Sequence, residues 1–271
     1  MMKSYLMKIT TILLFIVLLF STTGCDNQDA DEETTIPENQ RIITEDLSGK
    51  PGRILIMGNS FVGTSSVDFA LRRLVEENGE DLEVETVSEG YANIGSLAAH
   101  LETNPGIKEG LYDAIFLCGV YGSDIDPLKD YLDAVKDTKT KIILFPASNE
   151  SPSDIIAARE KYPGTGYVGW LDIVSELFRI EYFRLEAFVF MDEHLHLNEI
   201  GGYAGALMIY NYLYREAPKT EESEEYYLSS FGDLLQGRRN ETGEEILKKI
   251  SVVATELITA VRTYNGKPIT K

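Results

Sequence analysis

Two short segments hold side chains that together can do acyl-transfer chemistry. The first is Gly58-Asn59-Ser60-Phe61, directly after the apolar run Arg53-Ile-Leu-Ile-Met-Gly58. A serine hydroxyl is a weak nucleophile until a neighbouring base takes its proton. The second is Asp192-Glu193-His194-Leu195-His196-Leu197-Asn198-Glu199-Ile200-Gly201. A histidine there supplies the base, and a carboxylate in the same turn accepts its Nδ1 proton and fixes the tautomer. His100, in Leu97-Ala-Ala-His100-Leu, reads as a helix-surface or structural histidine. The histidines share no ligand spacing, so neither a metal site nor a cofactor is expected.

Two other loop chemistries share parts of the first segment, and each fails at one residue. Gly58-Asn-Ser-Phe-Val-Gly63-Thr64-Ser65 approaches a phosphate-binding loop, but Thr64 stands where the lysine belongs. The nucleophile elbow of α/β-hydrolases needs glycine two residues after the serine, and Val62 is there.

Both segments need a scaffold that brings them together. Apolar or alternating runs predict strands at 53–58, 82–87, 112–118, 141–145 and 185–191. Helical spacing falls between them, at Val67 to Val75, Ile94 to Leu101, Tyr131 to Val135, Ile155 to Tyr162 and Val168 to Phe183. A long apolar helix, Asn198 to Tyr214, follows the last strand. Alternating strands and helices imply parallel pairing with right-handed crossovers. The expected fold class is α/β: a three-layer α/β/α sandwich with a central parallel sheet of about five strands, flavodoxin-like in outline. Ligands of such sheets sit beyond the carboxyl ends of the strands, which is where both segments fall. The tail 218–242 is polar, with Tyr226, Tyr227 and Phe231. A final helix carries Ile246, Ile250, Val253, Leu257 and Val261 on one stripe and is expected to pack on the domain. Cys118 ends an apolar run and reads as a small buried hydrophobe. Trp170 and the tyrosines fit either a sugar platform or core and rim.

The two segments resemble the first and last sequence blocks of the SGNH (GDSL-like) hydrolases. Gly-Asn-Ser-Phe is similar to the first block, as a variant of Gly-Asp-Ser, and His196-Leu-Asn-x-x-Gly201 to the last. Val87-Ser-Glu-Gly-Tyr-Ala-Asn-Ile-Gly-Ser-Leu-Ala-Ala-His100 resembles the second block of a branch that begins Gly-Asn-Ser-Phe. The resemblance spans residues 53 to 215 or so. It implies Ser60 as nucleophile and His196 as general base, then general acid. It also implies the backbone N–H of Ser60 with that of Gly95, or Gly90, as oxyanion donors, joined by Gly119 at the third block. The family acid lies three residues before the histidine, which is Glu193 here; Asp192, one further back, is the alternative. His194 is the alternative base. The third block usually reads Gly-x-Asn-Asp, and here it is Gly119-Val120-Tyr121-Gly122-Ser123-Asp124. Its asparagine donor is missing. Unless Tyr121 O–H or another group replaces it, the loss costs about a hundredfold in rate.

The N-terminus bears on compartment. Lys3 and Lys8 precede or border an apolar run, Ile9 to Phe20, followed by Ser21-Thr-Thr-Gly-Cys25. A positive start, a short apolar stretch and small residues make a secretory signal. Gly24-Cys25 resembles a bacterial lipobox, with Thr22 in place of the usual leucine, so Cys25 is the expected lipidation site. Residues 1–25 are thus read as the signal. Residues 26–50 are acidic and poor in large apolar groups, a tether rather than a fold. Residues 51–271 are read as the hydrolase-like domain with a C-terminal helical extension. A net charge of −19 argues against nucleic acid and against broad attachment to anionic lipid. The expected protein is an extracytoplasmic, lipid-anchored serine esterase acting on a small ester or acylated carbohydrate. A non-catalytic surface lipoprotein that binds a glycan is the alternative, and a lysophospholipase is a third reading.

Overall fold

The computed structural model describes residues 50–120, 125–146, 152–179, 196–233, 235 and 242–264. Cys25 and the signal segment, residues 26–49, the predicted strand 185–191, Tyr121, Asp192, Glu193 and His194 lie outside the described residues.

Among the described residues five strands form one sheet: β1 (Arg53–Gly58), β2 (Glu83–Ser88), β3 (Ala114–Leu117), β4 (Lys141–Leu144) and β5 (Gly166–Tyr167). Their order is β2-β1-β3-β4-β5 and every pair is parallel. This is the flavodoxin-like order, whose direction reverses between β1 and β3. The central strands are continuous apolar runs because both of their faces are covered. Ile54, Ile56, Phe116 and Ile143 enter one core, while their neighbours Leu55, Met57, Ile115, Leu117, Ile142 and Leu144 enter the other.

Helices cover both faces, giving the three layers expected. One layer holds α1 (Ser60–Ser65) and α2 (Val67–Glu77), whose Phe61, Val67 and Leu71 share the first core. On the opposite face are α3 (Ile94–Leu97), α4 (His100–Thr103), α5 (Pro105–Lys108), α6 (Leu128–Val135) and α7 (Pro152–Lys161). They contribute Leu97, Leu101, Ile107, Tyr131 and Ile155 to the second core. The remaining helices, α8 (Trp170–Arg179), α9 (Glu199–Tyr214), α10 (Glu221–Phe231) and α11 (Gly243–Tyr264), join the first layer.

Four expected strands are present, with ends shifted by a residue or two. The fifth strand of the described sheet is Gly166–Tyr167, in a stretch the sequence pattern leaves between two helices. Two residues at a sheet edge are too short for any periodicity to register. The predicted helix from Ile94 to Leu101 is two short helices. Ala99 N–H donates to the Ser96 carbonyl and Leu101 N–H to the Ala98 carbonyl, and such three-residue closures end α3 early. The polar tail contains α10, whose Tyr227 is buried among the first-layer helices. The final helix buries Ile246, Leu247, Ile250, Val253 and Ala254, so it packs on the domain as its stripe predicts.

Candidate active site

β1 ends at Gly58 and the chain turns directly into α1. Asn59 caps this helix: its buried Oδ1 accepts the Phe61 N–H at 3.0 Å. The cap sets Ser60 as the first helical residue, at the carboxyl edge of the sheet. Ser88 Oγ donates to the Asn59 carbonyl at 2.9 Å, and Glu89 N–H donates to the Gly58 carbonyl at 3.1 Å. The turns after β1 and β2 are therefore tied together beside Ser60.

His196 precedes α9 by three residues. Asn198 caps that helix, its Oδ1 accepting the N–H groups of Ile200 and Gly201, each at 3.0 Å. Two residues upstream, His196 Nε2 lies 2.8 Å from Ser60 Oγ. Both residues are half-buried. The Phe61 ring stands 4.9 Å from the imidazole, centroid to centroid, and limits its swing.

Three further contacts hold the two segments in register. Thr64 Oγ1 donates to the Ser60 carbonyl at 2.8 Å and lies 3.2 Å from the Leu197 carbonyl, so one hydroxyl bridges the serine helix and the histidine segment. Trp170 Nε1 donates to the Gly201 carbonyl at 2.7 Å. Gly202 brings the backbone of α9 against the end of α1: a Cβ there would stand 1.9 Å from the Ser65 carbonyl oxygen.

The turn after β2 offers backbone donors. Asn93 caps α3 reciprocally, its Oδ1 accepting the Ser96 N–H at 2.9 Å while Asn93 N–H donates to Ser96 Oγ at 3.0 Å. Ile94 N–H donates to the Gly119 carbonyl at 3.2 Å. The N–H groups of Ser60 and Gly95 donate to no acceptor among the described residues. Gly119 has φ +117°, a conformation strained for any L residue, and a Cβ there would crowd the Ala92 carbonyl at 3.3 Å. Its carbonyl is the group that steadies Ile94.

The structure thus brings together Ser60 and His196, with Gly95 in the turn tied to the neighbouring strand end. Cys118 is fully buried, its Sγ 3.8 Å from Asn59 Oδ1. Trp170 is also fully buried, so it belongs to the core and supplies no platform. His100 Nε2 lies 2.8 Å from Glu89 Oε1, a surface pair. Sequence reasoning missed the Thr64 bridge, because a threonine four residues after a serine is ordinary helix and its acceptors are carbonyls. It also missed a polar pair between β5 and α8, where Tyr167 O–H donates to Asp172 Oδ2 at 2.7 Å. Burial pushes the Asp172 carboxyl above the usual carboxylate range, and the tyrosine bond partly offsets that.

No family model and no curated protein matches the chain. Among solved structures it is similar to an acetylxylan esterase from Geobacillus stearothermophilus, at 15% identity over 63% of this chain and 97% of that one, with a TM-score of 0.48. It is also similar to the esterase EstA from Pseudoalteromonas, at 12% identity over 60% and 97% of the two chains and a TM-score of 0.45. A lipase/acylhydrolase from Enterococcus faecalis matches at 13% identity over 62% and 98%, with a TM-score of 0.46.

Proposed function

We propose that this chain is a serine ester hydrolase of the SGNH type, exported and anchored by lipid on Cys25. The observation that carries the hydrolase reading is the 2.8 Å approach of His196 Nε2 to Ser60 Oγ at the carboxyl edge of the sheet. In this reading Ser60 O–H donates to Nε2, and Oγ attacks the ester carbonyl as the proton passes to the imidazole. The N–H groups of Ser60 and Gly95 receive the charge that develops on the carbonyl oxygen. His196 then gives its proton to the departing alcohol. Water, deprotonated by the same nitrogen, releases the acid from the acyl-enzyme. Glu193 by register, or Asp192, supplies the carboxylate for Nδ1. The substrate class is an acetyl or other short acyl ester, on a carbohydrate by preference.

A fluorophosphonate probe tests the nucleophile directly. The folded protein should label at Ser60, and Ser60→Ala should lose both label and ester hydrolysis. A folded wild type that neither labels nor hydrolyses would leave a glycan-binding protein instead. Released acetate rather than fatty acid separates a short-chain esterase from a lysophospholipase. The anchor has its own test: metabolic labelling with a radioactive fatty acid should mark the full-length chain and be lost in Cys25→Ala. Equal labelling of both would refute lipidation there.

A further inference from the structure

Resting on the ester-hydrolase reading above, we infer that Thr64 is a positioning residue of the reaction, whose hydroxyl sets His196 at proton-transfer distance from Ser60. Thr64 Oγ1 meets the carbonyl of the nucleophile residue, Ser60, at 2.8 Å. It meets the carbonyl of Leu197, the residue after the base, at 3.2 Å. One hydroxyl thereby takes its reference from the backbone beside both reacting side chains. A threonine bonded to the carbonyl four residues back does not favour a helix; it slightly destabilises and bends one. The bond to Ser60 alone is therefore no benefit to α1. The reach to Leu197 is what the hydroxyl secures.

Each segment has its own anchor. The start of α1 is fastened to the end of β2, where Ser88 Oγ donates to the Asn59 carbonyl at 2.9 Å and a Cβ on Gly63 would stand 2.7 Å from the same oxygen. On the histidine side the Leu197 side chain is buried in the first core and Asn198 caps α9. Thr64 joins these two anchored segments beside the reacting atoms. The proton must cross from Ser60 Oγ to His196 Nε2, now 2.8 Å apart, and a misplacement of about 1 Å costs on the order of a hundredfold in rate. The Thr64 proton is directed at backbone carbonyls and not at a ligand. Losing it should slow the chemistry without weakening substrate binding. The same Ser60–His196 pair serves acylation and deacylation, so both steps slow together.

The test compares Thr64→Val and Thr64→Ser with wild type on para-nitrophenyl acetate, with the melting temperature measured alongside. Valine keeps the shape of threonine and nearly its helix propensity but has no hydroxyl; serine keeps the hydroxyl without the methyl. The expected result is a kcat lower by about tenfold or more in Thr64→Val, with KM within about twofold. Thr64→Ser should recover kcat to within about threefold of wild type. A wild-type kcat in Thr64→Val would overturn the proposal whatever its melting temperature, since Thr64 would then be structural alone. Equal kcat losses in both variants would overturn it too, because the methyl and not the hydroxyl would matter. So would a loss carried by KM, which would put Thr64 at the substrate. If Thr64→Val does not fold, Thr64→Ala takes its place, removing the same hydroxyl with a better helix former. Should the wild type neither hydrolyse this ester nor react with the fluorophosphonate, the hydrolase reading fails on its own. Crystal structures of wild type and Thr64→Val then decide this one: a Ser60–His196 separation opened beyond hydrogen-bond reach in the variant supports it, and an unchanged contact refutes it.

Discussion

At the scale of single residues, the Ser60–His196 distance depends on an atom that is absent. Gly202 has no side chain, and α9 uses that space to lay its backbone on the Ser65 carbonyl, where a Cβ would stand at 1.9 Å. The blocking atom is backbone, so no rotamer change relieves it. Gly202→Ala must move α9 away from α1, and His196 moves with the start of α9. Overpacking of this kind costs typically about 1–3 kcal/mol, and a backbone clash belongs at the top of that range. We expect a lower melting temperature and a fluorophosphonate labelling rate at Ser60 reduced by about tenfold or more. Gly164→Ala, where a Cβ meets nothing within 4 Å, should alter neither. Labelling at the wild-type rate in Gly202→Ala would show that the α1–α9 approach does not set the pair.

At the scale of elements, legibility followed burial. β1, β3 and β4 are buried on both faces, so their apolar runs leave no other interpretation and their ends came within two residues. β5 has two residues and carries no pattern, so it was invisible, while the run at 185–191 lies outside the described residues. α10 was hidden in acidic sequence because it buries mainly Ser223, Glu224 and Tyr227. The site divides in the same way. Ser60 and His196 were legible because each stands at an expected strand-end or helix-start position in a recognisable block. The contacts that fasten them were not legible. Thr64 bonds to carbonyls of Ser60 and Leu197, and Ile94 bonds to the carbonyl of Gly119. Every residue has a carbonyl, so no residue type announces such a bond. Trp170 shows the converse: its type fitted a platform, but its indole N–H is consumed by Gly201 inside the core.

At the scale of the whole molecule, the layer carrying the histidine is stabilised far from the active edge by the C-terminal helices. Glu224 of α10 accepts from Thr220 Oγ1 at 2.7 Å and from Ser251 Oγ of α11 at 3.4 Å, and Ser251 in turn lies 3.5 Å from Tyr203 O–H of α9. Burial pushes the Glu224 carboxyl above its ordinary value; the two hydroxyl bonds and Lys248 oppose this, and Glu221 reinforces it. A carboxyl whose folded pKa is raised holds its proton more tightly in the folded state than in the unfolded one. Its contribution is therefore full below the ordinary carboxylate pKa, declines as pH rises through the interval up to the folded value, and stays reduced at neutral pH. Glu224→Gln keeps an acceptor for Thr220 and removes the charge. Thermal unfolding should show the variant melting above wild type at pH 7, with the gap closing near pH 4.5, the ordinary value for this side chain. Glu85 provides the opposite sign. The Tyr112 O–H, with Arg53, holds its carboxyl below the ordinary value against a smaller burial effect. Its stabilisation is present above the unfolded pKa and fades as pH falls through the folded one. Glu85→Gln should accordingly melt below wild type at pH 7 and approach it in acid. If both variants shift the melting temperature in the same direction at pH 7, the two carboxylates do not differ as their surroundings imply.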